Sequence, residues 1–290
     1  MATDQGPVVQ SALLRSDLTR LRKEKRLTQE MVARELEWSP SKLIRVEGGR
    51  SAITKTDLDA LLTHYEVTSA DQRERLHTLN RGAREAAWWS KYRGEISVPY
   101  LSFVGYEAGA AFVRQFQGAV IPGLLQTLEY AEVLTSGSVD PMRVAPVVKL
   151  RMERQVELAK RANPPRQYYV VDEAAIRRHV GIKKDPSVMP DQLRHVVDVV
   201  ERDERVSFRV IPFSAGAHMG MLGSFTLLEF DGDLPDVLHL ERRGESENLV
   251  TGEDPQIVEC ADAFESMLGE EALSDEESLE FVRSVAEEMS

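Results

Sequence analysis

Residues 28–50, TQEMVARELEWSPSKLIRVEGGR, decide how the first part of the chain is read. Thr28 can cap a helix, because its hydroxyl can accept one of the free backbone N–H groups at that end. Val32, Ala33 and Leu36 then share one face at near-helical spacing. Glu37 and Trp38 make a bend. Ser39 is placed to cap a second helix, with Pro40 at the first position, where the missing N–H costs nothing. Leu43 and Val46 turn inward, while Ser41, Lys42, Ile44 and Arg45 point away from that seam. Gly48-Gly49 ends the helix, since glycine accepts left-handed geometry. A glutamate at position 37 must bear backbone strain if the bend needs positive φ. The bland alternative is a helical hairpin inside a larger bundle.

The pattern resembles the helix-turn-helix of the phage-repressor-like regulators, the Xre family. TQEMVAREL matches the first motif helix, and SPSKLIRVEGGR the recognition helix with its following loop. The resemblance implies a double-stranded DNA operator as partner, with residues 39–47 in the major groove. Base contacts are then expected from Ser41, Lys42, Ile44 and Arg45, the cations suiting guanine O6/N7 and the isoleucine a thymine methyl. Phosphate contacts are expected from Thr28, Gln29, Ser39, Arg50 and Ser51. The alternatives are a surface ion pair of Arg45 with Glu47 or Glu30, and, on an equal footing with the base contact, Ile44 packing on a neighbouring helix.

Outward from this stretch, residues 8–26 read as an amphipathic helix with Leu14, Leu18 and Leu21 inward. Its other face carries Arg15, Arg20, Arg22, Lys23, Lys25 and Arg26, either a solvated face or one that reaches flanking phosphates. Residues 51–67 supply another helix, capped at Thr54 or Thr56, whose Leu58, Leu61, Leu62 and Tyr65 close a small core. These residues make an all-α helix-turn-helix domain, 1–68. Residues 69–98 read as a helical linker. It starts at a Ser69 cap and ends in Trp88, Trp89 and Tyr92, which need burial against the next domain or a second copy.

From residue 99 to 290 the pattern is mixed. Strand-like runs fall at AFVRQFQGAVI, QYYVVD, VSFRVIPF, GSFTLLEF and DVLHLE, with ENLV a further candidate. Helical runs lie between them and after them, one interrupted or restarted at Pro146, and Ser274 with Glu277 forms a capping box. The expected fold is α+β with a mostly antiparallel sheet. IPGLLQTLEYAEVL, KLRMERQ, VVDEAAIRRHVG, VIPFSAGAHMGMLGSFTLLEF and LSDEESLEFV resemble the uncharacterised domain that follows such a helix-turn-helix in many actinobacterial, antitoxin-like regulators. That resemblance implies transcriptional regulation, with a small companion protein encoded nearby; the domain itself is expected to dimerise, bind an effector or dock a partner protein.

At 290 residues the chain has room for two domains. The net charge of −12 is unevenly spread. Residues 1–100 hold 17 basic and 14 acidic side chains, whereas 251–290 hold 1 and 13. Screening confines that acidity to about 8–10 Å, so a DNA face elsewhere can be locally positive. One cysteine, no apolar run of membrane length and a start without signal-peptide character point to the cytoplasm. Gly216, His218, Met219, Gly220 and Gly223 mark a candidate ligand or partner loop, or simply a glycine-rich connection. Basic pairs at Arg177-Arg178, Lys183-Lys184 and Arg242-Arg243 read as solvated surface. Asp172-Glu173 follows a strand, where catalytic carboxylates often sit, but Glu173 suits a helix start. No nucleophile elbow, zinc helix, phosphate loop or metal spacing is present, so neither catalysis nor a cofactor is expected. A single recognition helix makes few base contacts, so a homodimer on half-sites about 34 Å apart is expected.

Overall fold

The computed structural model describes residues 6–241 and 248–290. Arg242 and Arg243 lie outside the described residues. The chain divides into two compact units: residues 1–90 with 231–234, and residues 91–230 with 235–290.

The first unit is all helix: α1 (Gly6–Glu24), α2 (Gln29–Glu35), α3 (Pro40–Glu47), α4 (Lys55–His64) and α5 (Ala70–Gly82). Val9, Leu14, Leu18, Val32, Leu43, Leu58, Leu61, Leu62 and Leu76 form its core. Thr28, Thr54 and Ser69 cap α2, α4 and α5 as their positions suggest. Ser39 stands at the N-cap of α3, but its side chain caps nothing; its Oγ lies 3.3 Å from Ser41 Oγ. The turns after α1, α2, α3 and α4 share one geometry. The residues at C′ (Arg26, Glu37, Gly49 and Glu66) all have φ between 55° and 71°. In each, two N–H groups fold back on the last turn, as in Trp38 to Ala33 O and Glu37 to Arg34 O. This is the Schellman arrangement, and three of its four left-handed positions carry a side chain that strains there. Residues 69–98 are therefore not one linker. α5 packs on α1 inside the first unit, because Leu76 and Leu79 need that apolar face. Trp89 is buried in the first unit edge-on to Trp88. Tyr92, in the second unit, is also buried and donates to Glu153 at 2.6 Å.

The second unit contains α6 (Val98–Glu107), β1 (Phe112–Gln117), α7 (Leu128–Ser136), α8 (Pro141–Ala159), β2 (Arg166–Asp172), α9 (Glu173–Arg177), α10 (Val188–Arg202), β3 (Val206–Ile211), β4 (Phe225–Glu229), β5 (Val237–Leu240), β6 (Asn248–Thr251), α11 (Pro255–Ser266) and α12 (Asp275–Glu288). Pro146 does not interrupt α8. It sits in the second turn of one continuous helix, at the cost of one backbone N–H bond. The sheet order is β3-β2-β1-β4-β5-β6.

The expectation of a mostly antiparallel sheet is corrected. β1 with β2 and β2 with β3 are parallel; β1–β4, β4–β5 and β5–β6 are antiparallel. The mixture follows from the connections. Helices α7–α8 and α9–α10 carry the chain back for parallel crossovers, whereas short links join β4 to β5 and β5 to β6. The continuous buried run Tyr169-Val170-Val171 is the apolar signature of a strand covered on both faces. One face packs Tyr169, Val171, Phe208 and Val210 with residues of α7, α10 and α12. The other packs Phe116, Val170, Ile211, Phe225, Leu227 and Leu238 under Ile257 and Phe264 of α11. Among the described residues no helix is long and apolar enough to cross a membrane.

Candidate nucleic-acid interface

The angle between α2 and α3 is fixed by one side chain at the end of α3. Glu47 Oε1 accepts from Arg22 Nε at 2.7 Å, and Oε2 accepts from Arg22 Nη2 at 2.8 Å and Gln29 Nε2 at 2.7 Å. Arg22 Nη1 also donates to Leu27 O at 2.8 Å. The pair is largely out of water, with side-chain exposures of 12% for Arg22 and 5% for Glu47. Bidentate geometry makes such a contact directional as well as strong. Three helices are thus tied at one point. Burial, with the nearby Glu47 charge, raises the Tyr65 hydroxyl above the ordinary tyrosine range.

This knot changes two sequence expectations. Arg22 is a structural member of the core edge and not a phosphate-facing cation. Glu47 belongs to Arg22, leaving Arg45 exposed and without a hydrogen bond or ion pair among the described residues. Part of the remaining basic face of residues 8–26 is also engaged: Arg20 with Asp17 and Glu24, Lys25 with Glu66. At Gly49 the positive φ favours glycine; an added Cβ would meet only the far end of the Arg15 side chain, which can shift.

Ser41, Ile44 and Arg45 are exposed together on one face of α3. Lys42 is on that face but held. Its Nζ lies 2.6 Å from Asp57 Oδ1 of α4 and 4.0 Å from the centre of the Trp38 ring. Burial pushes the Asp57 carboxyl up, yet Lys42 and the Thr54 cap outweigh it and hold it below the usual range. Among the expected phosphate contacts, Ser39, Arg50 and Ser51 are exposed at the two ends of α3. The Thr28 hydroxyl accepts from Met31 N–H, and the Gln29 amide is spent on Glu47. Sequence reasoning missed Glu47, Arg22 and Asp57. The only signal was the charge of each, which does not say which partner lies across the bundle.

The glycine-marked loop 213–223 lies in the second unit. His218 is tucked in, its Nε2 3.1 Å from Asp172 Oδ2 and its ring edge-on to Phe116. Gly220 is buried against Phe116, where an added Cβ would come within 2.3 Å of the ring. Glu173 Oε2 accepts from Phe213 N–H at 2.7 Å. Asp172 and Glu173 therefore anchor this loop. Gly216 and Gly223 take positive φ with open space around them. Beside them Phe213, Met219, Met221 and Leu222 are exposed, Leu222 at 85%.

No curated protein and no solved structure matches the chain. Residues 13–76 match a helix-turn-helix domain, which spans most of α1 through the middle of α5. Residues 100–284, well over half the chain, match the domain of unknown function DUF5753. The chain therefore carries a DNA-binding helix-turn-helix and belongs to the DUF5753 family.

Proposed function

We propose that the protein is a cytoplasmic, sequence-specific transcriptional regulator of the Xre type, and not an enzyme. It lays α3 in the major groove of an operator. The observation that carries this reading is the outer face of α3, where Ser41, Ile44 and Arg45 are exposed while Glu47 fixes the helix from behind. Arg45 is the principal base reader, and Ser39, Arg50 and Ser51 hold the phosphates at either end. Lys42 joins the readers when DNA draws it from Asp57. A homodimer supplies two such helices, because one recognition helix makes too few contacts for operator affinity. Selection of bound fragments from genomic DNA tests the reading. Recovered sites should share a two-fold symmetric motif with half-sites one or more turns apart; fragments without a common motif would refute it.

A second reading, an antitoxin-like module whose DNA binding serves autoregulation, is favoured by the loop 213–223. Four exposed apolar side chains on one rigidly anchored loop suit a protein partner. Co-purification of a small protein encoded nearby, lost on Leu222→Asp with Met221→Asp, would support it. Retention of the partner by that variant would contradict it.

A further inference from the structure

One face of the sheet changes character halfway across. Over β2 and β3 it is apolar, with Tyr169, Val171, Phe208 and Val210. Over β1, β4 and β5 the same face carries Gln115, Gln117, Thr226 and His239, all buried. The register sets Gln115 opposite Thr226, and Thr226 opposite His239, so these three form one row. Glu241 follows two residues after His239, on the same side. A buried polar row on a sheet face costs stability unless something satisfies it. The protein satisfies it only in part. Among the described residues, both ring nitrogens of His239 and the Thr226 hydroxyl have no hydrogen-bond partner.

A cavity of about 720 Å3 lies over this row, within the second unit, between the sheet and residues of α6, α7 and α8. That volume is in the usual range for small-molecule sites, about 300–1,000 Å3. Three charged side chains line it. Arg154 is already neutralised, paired with Glu107 through two bonds of 2.8 and 2.6 Å. Two charged groups are left. Glu241 accepts from Gln117 at 2.7 Å and Gln115 at 3.4 Å, both on Oε1, so Oε2 is free among the described residues. Desolvation raises its carboxyl, and the nearby Arg151 and Arg154 charges pull it back only in part. Arg151, which lines the same cavity, donates Nη1 to Gln126 at 2.7 Å, while its buried Nε has no hydrogen-bond partner among the described residues. Arg151 and Glu241 do not form an ion pair with each other.

We propose that this cavity is a binding site for a small zwitterionic molecule bearing an amine and a carboxylate, of free amino acid or dipeptide size. The amine donates to Glu241 Oε2 and the carboxylate takes the open Arg151 donors. A cation and an anion that line one cavity without pairing to each other are matched by a ligand with the reverse pair. A singly charged ligand would leave one of them unmatched. The inference does not depend on the DNA-binding reading.

Equilibrium dialysis of the full-length protein tests it. The probes are an equimolar pool of the free amino acids and free-ended dipeptides, and the same pool N-acetylated or C-amidated. Mass spectrometry reads what is retained. A subset of the free pool should be retained, with at least a tenfold loss on blocking either end. Glu241→Gln and Arg151→Gln, checked for native circular dichroism, should each lose retention to the same extent. No retention of the free pool, or equal retention of the blocked pools, would overturn the proposal. So would unchanged retention by folded Glu241→Gln. If that variant does not fold, the blocked pools on the unaltered protein still decide.

Discussion

Replacing Glu47 with alanine removes three hydrogen bonds at once and leaves the Arg22 guanidinium, only 12% exposed, without its carboxylate. Breaking a buried pair by deleting one partner costs about 3–5 kcal/mol. Arg22 keeps its bond to Leu27 O, and some relaxation toward solvent is open to it. The lower end, about 3 kcal/mol, is therefore expected. That is a large share of the roughly 5–15 kcal/mol that holds a domain. Removing both charges, as Glu47→Leu with Arg22→Met, should cost less than Glu47→Ala alone, since no orphaned cation remains. The three tryptophans, Trp38, Trp88 and Trp89, all lie in the first unit, so tryptophan emission in urea follows this unit specifically. A loss below about 1 kcal/mol for Glu47→Ala would refute the reasoning. A double variant worse than the single one would refute it too.

Other outcomes follow from the same geometry. Glu37→Gly should stabilise the first unit by about 0.5–1 kcal/mol in the same titration, since relief of left-handed strain (about 1–2 kcal/mol) exceeds the added unfolded-state entropy; a neutral or destabilising result contradicts it. Asp57→Asn removes the carboxylate from which DNA must draw Lys42 and should tighten operator binding several-fold at fixed salt. Unchanged affinity would mean that Lys42 does not reach DNA. Burial, aided by Arg154, lowers the His239 imidazole to about 4 from an ordinary 6.5. The unfolded chain therefore takes the proton first. This contribution is intact above pH 6.5 and is lost as pH falls toward 4, about 3 kcal/mol in all. Calorimetric unfolding of the second unit should show it as a difference from His239→Gln that grows across that window, and parallel pH profiles would count against it.

Local chemistry was legible in the sequence where a signal and its partner lie within a turn of each other. The caps at Thr28, Thr54 and Ser69, and the Ser274–Glu277 box, needed only four residues to read. The strain at Glu37 was visible because a turn that favours glycine carried a glutamate. The sheet was not legible to the same degree. Strand positions followed from β-branched runs, but direction depends on whether a helix intervenes between neighbours, and β1, β2 and β3 pair across long crossovers. The Ser39 side chain caps nothing, although its position and residue type matched a cap. Lys42 and Arg45 looked equivalent in sequence; Asp57 and Trp38, from outside α3, separate them. The polar row of Gln115, Thr226 and His239 left no trace either. Its members lie on three strands and become a row only through the register.

The central claim is that the free face of α3 reads bases, with Arg45 foremost. Selection from random-sequence duplexes, run in parallel for the unaltered protein and Arg45→Ala, tests it most directly. The unaltered protein should yield a symmetric motif, and the variant the same motif with one position per half-site relaxed, a loss of about 1–3 kcal/mol for the preferred base there. An identical motif from both proteins, or none from either, would contradict it.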